Sequence, residues 1–267
     1  MPALPSIGFF DSGWGGLSIM KAARHELPQE NFCYVADCGN APYGDRTHEF
    51  IVNRAVKITD FLLREQHVKA VVISCNTATA EAAEVLRARY PEAVIVGVEP
   101  AVKPACELSK TKKIGVIATT RTINSKRYRD LLTRYAAQCR VFSQGCPGLM
   151  ECVESGQFHS PYTVSLLKKY LQPMKAQGID TLVLGCTHYP FLSEAIEELM
   201  GPEVMLLEPG AAVARHLKGC LKDKGLLNPQ ESPDGRDSFY VSGLSAQKTL
   251  VAQRLYSSAR CFFELTV

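Results

Sequence analysis

Two short segments of the chain place a cysteine where a buried strand is expected to end. Cys75 follows the apolar run 70–73, and Cys186 follows the apolar run 181–184. Open α/β sheets bind ligands at the carboxyl ends of their strands. Each cysteine also precedes residues that can begin a helix, and a helix N-terminus lowers the pKa of a thiol. The two cysteines are therefore candidates for a matched pair of thiols that face one site, where one acts as a base and the other as an acid.

The residues beside the two cysteines add polar groups that can bind a carboxylate. Asn76 and Thr77 follow the first cysteine, and Thr187 and His188 follow the second. Amide and hydroxyl donors at a helix N-terminus are favourable partners for an anion. His188 can also exchange a proton with the neighbouring thiol or with a substrate.

A glycine-rich loop follows the first expected strand. The segment Asp11-Ser12-Gly13-Trp14-Gly15-Gly16 precedes a helical pattern, and its glycines leave backbone N–H groups able to face a ligand. It matches neither the dinucleotide fingerprint nor the P-loop, so a nucleotide site has little support, and an ordinary strand–helix turn stays open. Asp11 can accept a proton or orient a thiol, although Asp is also a common helix cap.

A second loop, Asp37–Gly44, follows the second expected strand. It can bring the hydroxyl group of Tyr43 and the backbone of Gly44 to the same edge of the sheet. Segments that combine Asn, Pro and Gly often form simple turns, so this loop alone is a weak indication of a site.

Apolar runs that predict strands occur in the same order in two halves of the chain. The strands are predicted at 7–10, 33–36, 70–73 and 94–98, and again at 114–117, 139–142, 181–184 and 204–207. Corresponding strands lie about 110 residues apart, and the fourth of each set runs into a Glu-Pro pair. Because helical patterns separate the strands, we predict an α/β fold of two pseudo-symmetric, open, mostly parallel-sheet domains with the active site in the cleft between them.

The Glu-Pro pairs at 99–100 and 208–209 are the expected crossovers between the domains. Domain A is predicted to comprise residues 1–98 plus 209–267, which carry Asp11 and Cys75, and domain B to comprise residues 99–208, which carry Cys186 and His188. Residues 228–237, rich in Pro, Asp, Ser and Gly, predict an exposed loop before a short strand at 238–241.

Composition places the chain among ordinary globular enzymes. A net charge of +3 with dispersed Lys and Arg does not suggest nucleic-acid binding. Because the N-terminus lacks a signal-peptide pattern and no apolar run is long enough to cross a bilayer, we expect a cytoplasmic protein without a membrane span. Its ten cysteines are then expected to be reduced. The absence of a Cys-x-x-Cys motif argues against a structural zinc site. Five cysteines outside the proposed site are expected to be buried small hydrophobes: Cys33, Cys106, Cys139, Cys220 and Cys261.

Together these motifs resemble the glutamate racemases of the cofactor-independent aspartate/glutamate racemase superfamily. The similarity extends over nearly the whole chain. It rests on Asp11-Ser12-Gly-x-Gly-Gly, Pro42-Tyr43-Gly44, Cys75-Asn76-Thr77-Ala78, Glu99-Pro100-Ala101, Cys146-Pro147, Val153-Glu154-x-Gly156 and, most specifically, Gly185-Cys186-Thr187-His188-Tyr189-Pro190.

The resemblance implies an isomerase that interconverts L- and D-glutamate and supplies D-glutamate for peptidoglycan, hence for cell-wall biogenesis and cell shape. It implies that Cys75 and Cys186 act as acid and base on opposite faces of Cα, assisted by Asp11 and His188 respectively. The substrate would be bound by Asp11, Ser12, Tyr43, Gly44, Asn76, Thr77, Thr187 and His188. The resemblance implies no cofactor and no metal, leaves a homodimer open, and gives Glu154 an acidic position near the site without a defined role.

Two residues depart from the family pattern. Trp14 stands where the family usually has a smaller residue, and we expect it near the substrate loop, where its fluorescence would report closure. Pro209 stands where many relatives have Ser. Neither residue occupies a catalytic position, so both bear on the shape or motion of the cleft rather than on the type of reaction.

Different substrates and two different classes of function stay open at this point. Within the superfamily, the substrate could instead be aspartate or a hydantoin, although the Tyr43 loop and the Cys-Thr-His segment favour glutamate. A non-catalytic binding protein could keep the same fold, and a cysteine hydrolase could use one of the thiols. The presence of two matched thiols argues against both of these classes.

Overall fold

The computed structural model describes residues 4–229 and 237–267 and contains two parallel sheets. The first has the strand order β10-β9-β2-β1-β3-β4, and the second has the order β6-β5-β7-β8. The strands of the first sheet are β1 (Ile7–Asp11), β2 (Phe32–Ala36), β3 (Ala70–Ile73), β4 (Val94–Gly97), β9 (Asp237–Val241) and β10 (Cys261–Glu264). Those of the second are β5 (Lys113–Ala118), β6 (Arg140–Gly145), β7 (Thr181–Leu184) and β8 (Met205–Leu207).

Helices connect the strands, as parallel pairing requires. They are α1 (Leu17–Glu26), α2 (His48–Asp60), α3 (Asn76–Arg89), α4 (Val102–Leu108), α5 (Thr120–Asn124), α6 (Lys126–Tyr135), α7 (Leu149–Glu154), α8 (Pro161–Ala176), α9 (Ser193–Met200), α10 (Gly210–Asp223) and α11 (Ala246–Leu255). A π-helical turn, Phe61–Glu65, extends α2, and 3-10 turns lie at Tyr43–Asp45 and Tyr189–Leu192.

The predicted α/β fold with two similar sheets is confirmed. The first four strands are ordered β2-β1-β3-β4 and the next four β6-β5-β7-β8, which is the same topology repeated. Consequently β3 and β7 hold equivalent places, and the two cysteines that follow them lie at equivalent edges. The crossovers expected at 98/99 and 208/209 stay a prediction.

Apolar sequence explains the central strands. Every residue of β1, β3 and β7 is buried, as expected for parallel strands covered by helices on both faces. One hydrophobic cluster contains residues of both sheets, including Ile7 of β1 and Leu182 of β7. The two halves are therefore joined by a continuous apolar core.

Several details differ from the predictions. Strands β6 and β8 begin one residue later than expected, and β10 was not predicted at all. Because β10 lies at the edge of its sheet, Cys261 is exposed rather than buried. Cys139, just before β6, and Cys220, in α10, are only partly buried. Most of the loop predicted at 228–237 lies outside the described residues. Within the described ranges, no helix is both long and apolar enough to cross a membrane.

Candidate active site

The two thiols predicted from the sequence line one small cavity. Cys75 and Cys186 are each 5% exposed, and the cavity between them has a volume of about 50 Å³. This is room for a few water molecules, so the cavity suits a small ligand. Nine of the residues expected to form the site or bind substrate line it: Ser12, Tyr43, Gly44, Cys75, Asn76, Thr77, Cys186, Thr187 and His188.

Asp11, the remaining predicted residue, lies fully buried behind the cavity wall at the end of β1. Its Oδ1 accepts a hydrogen bond of 2.8 Å from the N–H of Gly13. Its Oδ2 accepts one of 2.9 Å from the hydroxyl of Thr187 in the other half of the chain. Burial raises the pKa of the Asp11 carboxyl despite the opposing effect of nearby His188 and of these hydrogen bonds.

Ser12 connects Asp11 to the first thiol. The Ser12 hydroxyl lies 3.4 Å from Oδ1 of Asp11 and 3.8 Å from Sγ of Cys75. Cys75 also caps helix α3, because its Sγ accepts the N–H of Ala78 at 3.4 Å. Burial, with the Asp11 carboxylate adding to its effect, raises the pKa of the Cys75 thiol to about 12. Cys75 is therefore held as a neutral thiol at pH 7.

His188 connects the second thiol to Glu154. Its Nδ1 lies 3.7 Å from Sγ of Cys186, and its Nε2 lies 2.7 Å from Oε1 of Glu154. Burial lowers the pKa of His188, but the hydrogen bonds to Cys186 and Glu154 outweigh burial and raise the pKa well above its ordinary value. The imidazolium can thus donate one hydrogen bond to the thiol and the other to the carboxylate. The sequence named Glu154 without a role, and the structure makes it the partner of the histidine.

The glycines of the first loop are needed because these two side chains approach its backbone closely. A Cβ atom at Gly13 would lie 2.7 Å from Cδ of Glu154, and one at Gly15 would lie 2.5 Å from Cε1 of His188. The N–H of Trp14 donates to Oε1 of Glu154 at 2.5 Å, and the backbone nitrogen of Gly15 lies 3.2 Å from Nε2 of His188. The loop therefore packs closely against both members of the pair.

The ring of Trp14 itself lies in the core. It is fully buried and stacks on Tyr34, with ring centroids 6.2 Å apart and an interplanar angle of 14°. Trp14 therefore reaches the site only through its backbone, and a response of its fluorescence to closure stays a prediction.

Tyr43 uses its hydroxyl group to fix its own loop. The hydroxyl donates a 2.6 Å hydrogen bond to Asp37, which also receives hydrogen bonds of 2.9 and 2.7 Å from the guanidinium of Arg54. Asp37 is fully buried, and despite the opposing effect of burial, the hydrogen bonds from Arg54 and Tyr43 lower its pKa. This buried network holds Tyr43 and Gly44 against the cavity.

Asn76 supplies the polar group that is most obviously open to a ligand. It lines the cavity at the start of α3, and in the part of the chain that the structure describes neither its Oδ1 nor its Nδ2 has a hydrogen-bond partner. A buried amide without a partner costs free energy, so a bound ligand that pairs with it gains accordingly. Neighbouring Thr77 contacts Thr119 of the other half, with their hydroxyl oxygens 3.0 Å apart.

The sequence interpretation missed several residues of the cavity wall. Thr119 follows β5 as Ser12 follows the end of β1, and Cys146 follows β6 as Asp37 follows β2. The internal repeat was a signal that could have found both of them. Thr120, Pro147, Gly148, Met150, Glu151 and Tyr189 also line the cavity.

Two like α/β halves each place a thiol, at an equivalent strand end, beside one cavity. This arrangement suits an isomerase that inverts a stereocentre. The sequence profile of the Asp/Glu/Hydantoin racemase family matches residues 18–217, and the chain belongs to this family. It is 50% identical to a glutamate racemase of Ectopseudomonas mendocina over 237 residues, which is 89% of each chain.

Solved structures agree with this assignment. A glutamate racemase of Bacillus anthracis superposes with a TM-score of 0.87 at 30% identity, and the match covers 98% of both chains. A Francisella tularensis glutamate racemase, solved in complex with D-glutamate, superposes with a TM-score of 0.85 at 29% identity over 98% of this chain and 97% of the other.

Proposed function

We propose that this isomerase is a glutamate racemase that interconverts L- and D-glutamate by two-base proton transfer between Cys75 and Cys186. The observation that carries the proposal is that both buried thiols line the same cavity, each beside a different titratable helper. Relatives that carry the name glutamate racemase, one of them in complex with D-glutamate, support the choice of substrate.

Inverting a stereocentre requires a base on one face of Cα and an acid on the opposite face. In one direction a Cys75 thiolate removes the proton and the Cys186 thiol returns another; in the reverse direction the roles exchange. Two groups of the same kind can exchange these roles, so one site serves both directions of the reaction. No cofactor is part of the proposal, so the carbanion that forms between the two transfers is stabilised by the protein alone.

The helpers differ between the two thiols. On the Cys75 side, the carboxyl of Asp11 acts through the hydroxyl of Ser12, which contacts both groups. On the Cys186 side, His188 faces the thiol with Nδ1 while Glu154 holds Nε2. The Asp11 carboxylate near Cys75 favours the neutral thiol of that residue, whereas the imidazole of His188 is the group that faces Cys186.

The Cα proton of an amino acid is very weakly acidic, so the site has to stabilise the developing negative charge. Burial of the reacting groups strengthens electrostatic interactions, because little water surrounds them. Helix α3 begins in the cavity wall, and its N-terminus attracts an anionic carboxylate. Each 1.36 kcal/mol of such stabilisation is worth about tenfold in rate.

Substrate binding is assigned to the polar wall. Asn76 and Thr77 bind one carboxylate of glutamate, and the Asn76 amide is free for this because it has no partner among the described residues. Ser12 binds the ammonium group, and Asp11 behind the wall contributes its negative charge. Tyr43 and Gly44 form the wall on the first half, and Thr187 and His188 form the opposite side.

The product D-glutamate would serve peptidoglycan synthesis in the cytoplasm. All ten cysteines are free thiols, which suits the reducing cytoplasm in which thiol catalysts stay active. Neither nucleic acid nor a membrane is part of this role, and a homodimer stays a prediction.

Exchange of the Cα proton tests the reaction directly. L- and D-glutamate are incubated separately in D2O, and NMR follows loss of the Cα signal while circular dichroism follows inversion. The wild-type enzyme should exchange and invert both enantiomers. Cys75→Ser and Cys186→Ser should each abolish racemisation. Cys106→Ala, which removes a buried thiol of helix α4 outside the cavity, is the matched control and should racemise normally. The proposal fails if neither enantiomer of glutamate exchanges, and exchange of aspartate or a hydantoin in its place would identify a different substrate.

A further inference from the structure

Cys38 is a thiol of the second loop that the reaction described above does not use. It follows Asp37 directly after β2 and is partly buried. Its Sγ lies 3.7 Å from Oε2 of Glu154. It is not among the described residues that line the cavity, so it does not touch the substrate.

The two oxygens of Glu154 have different partners. Oε1 receives the N–H of Trp14 at 2.5 Å and contacts Nε2 of His188 at 2.7 Å. Oε2 contacts Cys38. The terminal torsion of a Glu side chain has a broad, shallow energy profile, so contacts to one oxygen alone do not fix the plane of the carboxylate. A donor on the second oxygen does.

We propose that Cys38 is a positioning residue for the Cys186 half of the reaction, acting through Glu154 and His188. This inference rests on the proposed function. The contacts form one chain: the Cys38 thiol holds Glu154, Glu154 holds Nε2 of His188, and Nδ1 of His188 faces Cys186. The hydrogen-bond contacts of the Cys75 thiol run instead through Ser12 to Asp11.

The protonation state of Cys38 agrees with a donor role. Burial and the neighbouring Glu154 carboxylate raise the pKa of the Cys38 thiol well above its ordinary value. It therefore stays protonated near neutral pH and can donate to the carboxylate. A thiol is a weak donor, so its removal should weaken catalysis without abolishing it.

The first measurement is the steady-state kinetics of Cys38→Ala and Cys38→Ser. Cys38→Ala should lower kcat roughly three- to tenfold, as expected for one lost hydrogen bond, with KM nearly unchanged because the residue lies outside the cavity. Cys38→Ser keeps a donor and should recover part of the loss. If the two variants lose kcat equally, the loss does not depend on a hydrogen-bond donor at this position, and the proposal is overturned.

The second measurement separates the two thiols by isotope effects with substrate deuterated at Cα. Cys38→Ala slows the proton transfer that involves Cys186. For the enantiomer whose Cα deuteron goes to Cys186, the label moves in the slowed step and its isotope effect should rise. For the other enantiomer, the label is removed by Cys75 and the slowed step moves a solvent-derived proton, so the substrate isotope effect should fall. A general structural defect would not raise the isotope effect for one enantiomer and lower it for the other.

The controls distinguish the possible failures. Cys33→Ala removes a buried thiol of β2 that lies in a different hydrophobic cluster; it should lower thermal stability and leave the isotope effects of the two enantiomers unchanged. Glu154→Gln should shift the two isotope effects in opposite directions, as Cys38→Ala does, and the effects of the two substitutions together should be less than additive. Additive effects, or isotope effects that do not shift in opposite directions in Cys38→Ala, overturn the role of Cys38. If Glu154→Gln does not shift the two isotope effects in opposite directions, the role of Glu154 as the partner of His188 is refuted. If the wild type does not racemise glutamate, the proposed function itself is refuted.

Discussion

Replacing Gly15 by alanine should lower kcat about 100-fold by displacing His188 while leaving the fold intact. The new Cβ atom would lie 2.5 Å from Cε1 of the imidazole, whereas carbon atoms pack at about 3.5–4.0 Å. The ring must therefore move by roughly 1 Å. Because Gly15 does not have a positive φ, alanine is compatible with the backbone and the conflict is with the ring alone.

The size of the expected loss follows from the position of the ring. His188 Nδ1 is already 3.7 Å from Sγ of Cys186, so a further displacement of about 1 Å exceeds hydrogen-bonding range even for sulfur. Misplacement of a catalytic group by this amount costs about 100-fold, which is roughly 2.7 kcal/mol of activation free energy. The overlap should also lower the free energy of unfolding by about 1–3 kcal/mol.

The assay is the racemisation of glutamate followed by circular dichroism, with thermal unfolding of the same preparations. Gly219→Ala is the matched control, because a Cβ there meets no described atom within 4 Å and the residue lies in helix α10. It should keep full activity and gain about 0.5–1 kcal/mol of stability. Wild-type kcat in Gly15→Ala would refute the argument that the close approach of His188 to this loop matters for the reaction.

Two further changes test other parts of the structure. Asn76→Ala should raise KM for glutamate by roughly tenfold or more with little change in melting temperature. The amide has no protein partner among the described residues, so its removal leaves no other protein group without a hydrogen bond. A large fall in stability without a change in KM would contradict its role in binding. Asp180 accepts hydrogen bonds from Ser109, Lys110 and Thr111, which outweigh the opposing effect of burial and lower its pKa to about 2. Since this pKa is lower than the unfolded value, the stabilisation is present above about pH 4 and lost as the pH falls towards 2. Asp180→Ala should therefore lower the free energy of unfolding by about 1 kcal/mol at neutral pH, with a difference from the wild type that shrinks below pH 4, and a difference that stays constant down to pH 2 would contradict this account.

The strands that position the site could be predicted because they are buried on both faces. The run 70–73 is apolar throughout, and the run 181–184 is apolar after Thr181. Such runs in parallel sheets need no alternation to be recognised. Strand β10 was missed for the opposite reason. It lies at a sheet edge, and three of its four residues are exposed. A strand this short shows no clear alternation of apolar and polar residues.

The contacts within the site were only partly predictable. The residue types at the two strand ends indicated thiol chemistry, and the repeat explained why there are two thiols. The pairing of Glu154 with His188, in contrast, joins the end of α7 to the turn after β7. It depends on how the chain folds in space, and no local pattern encodes it. Likewise, the contact of Cys38 with Glu154 connects residues far apart in the sequence.

The hydrogen bond between Thr187 and Asp11 has a consequence for how the two copies of the repeat can diverge. The residue next to the second thiol serves the acidic helper of the first thiol, and Ser18 of α1 donates to the carbonyl of Thr187 at 3.0 Å. Neither copy is therefore self-sufficient: a change in the turn after β7 alters the surroundings of Asp11, and a change in the loop after β1 alters the surroundings of His188. The duplicated units have become mutually dependent, so substitutions at these positions should be tolerated in matched pairs rather than singly.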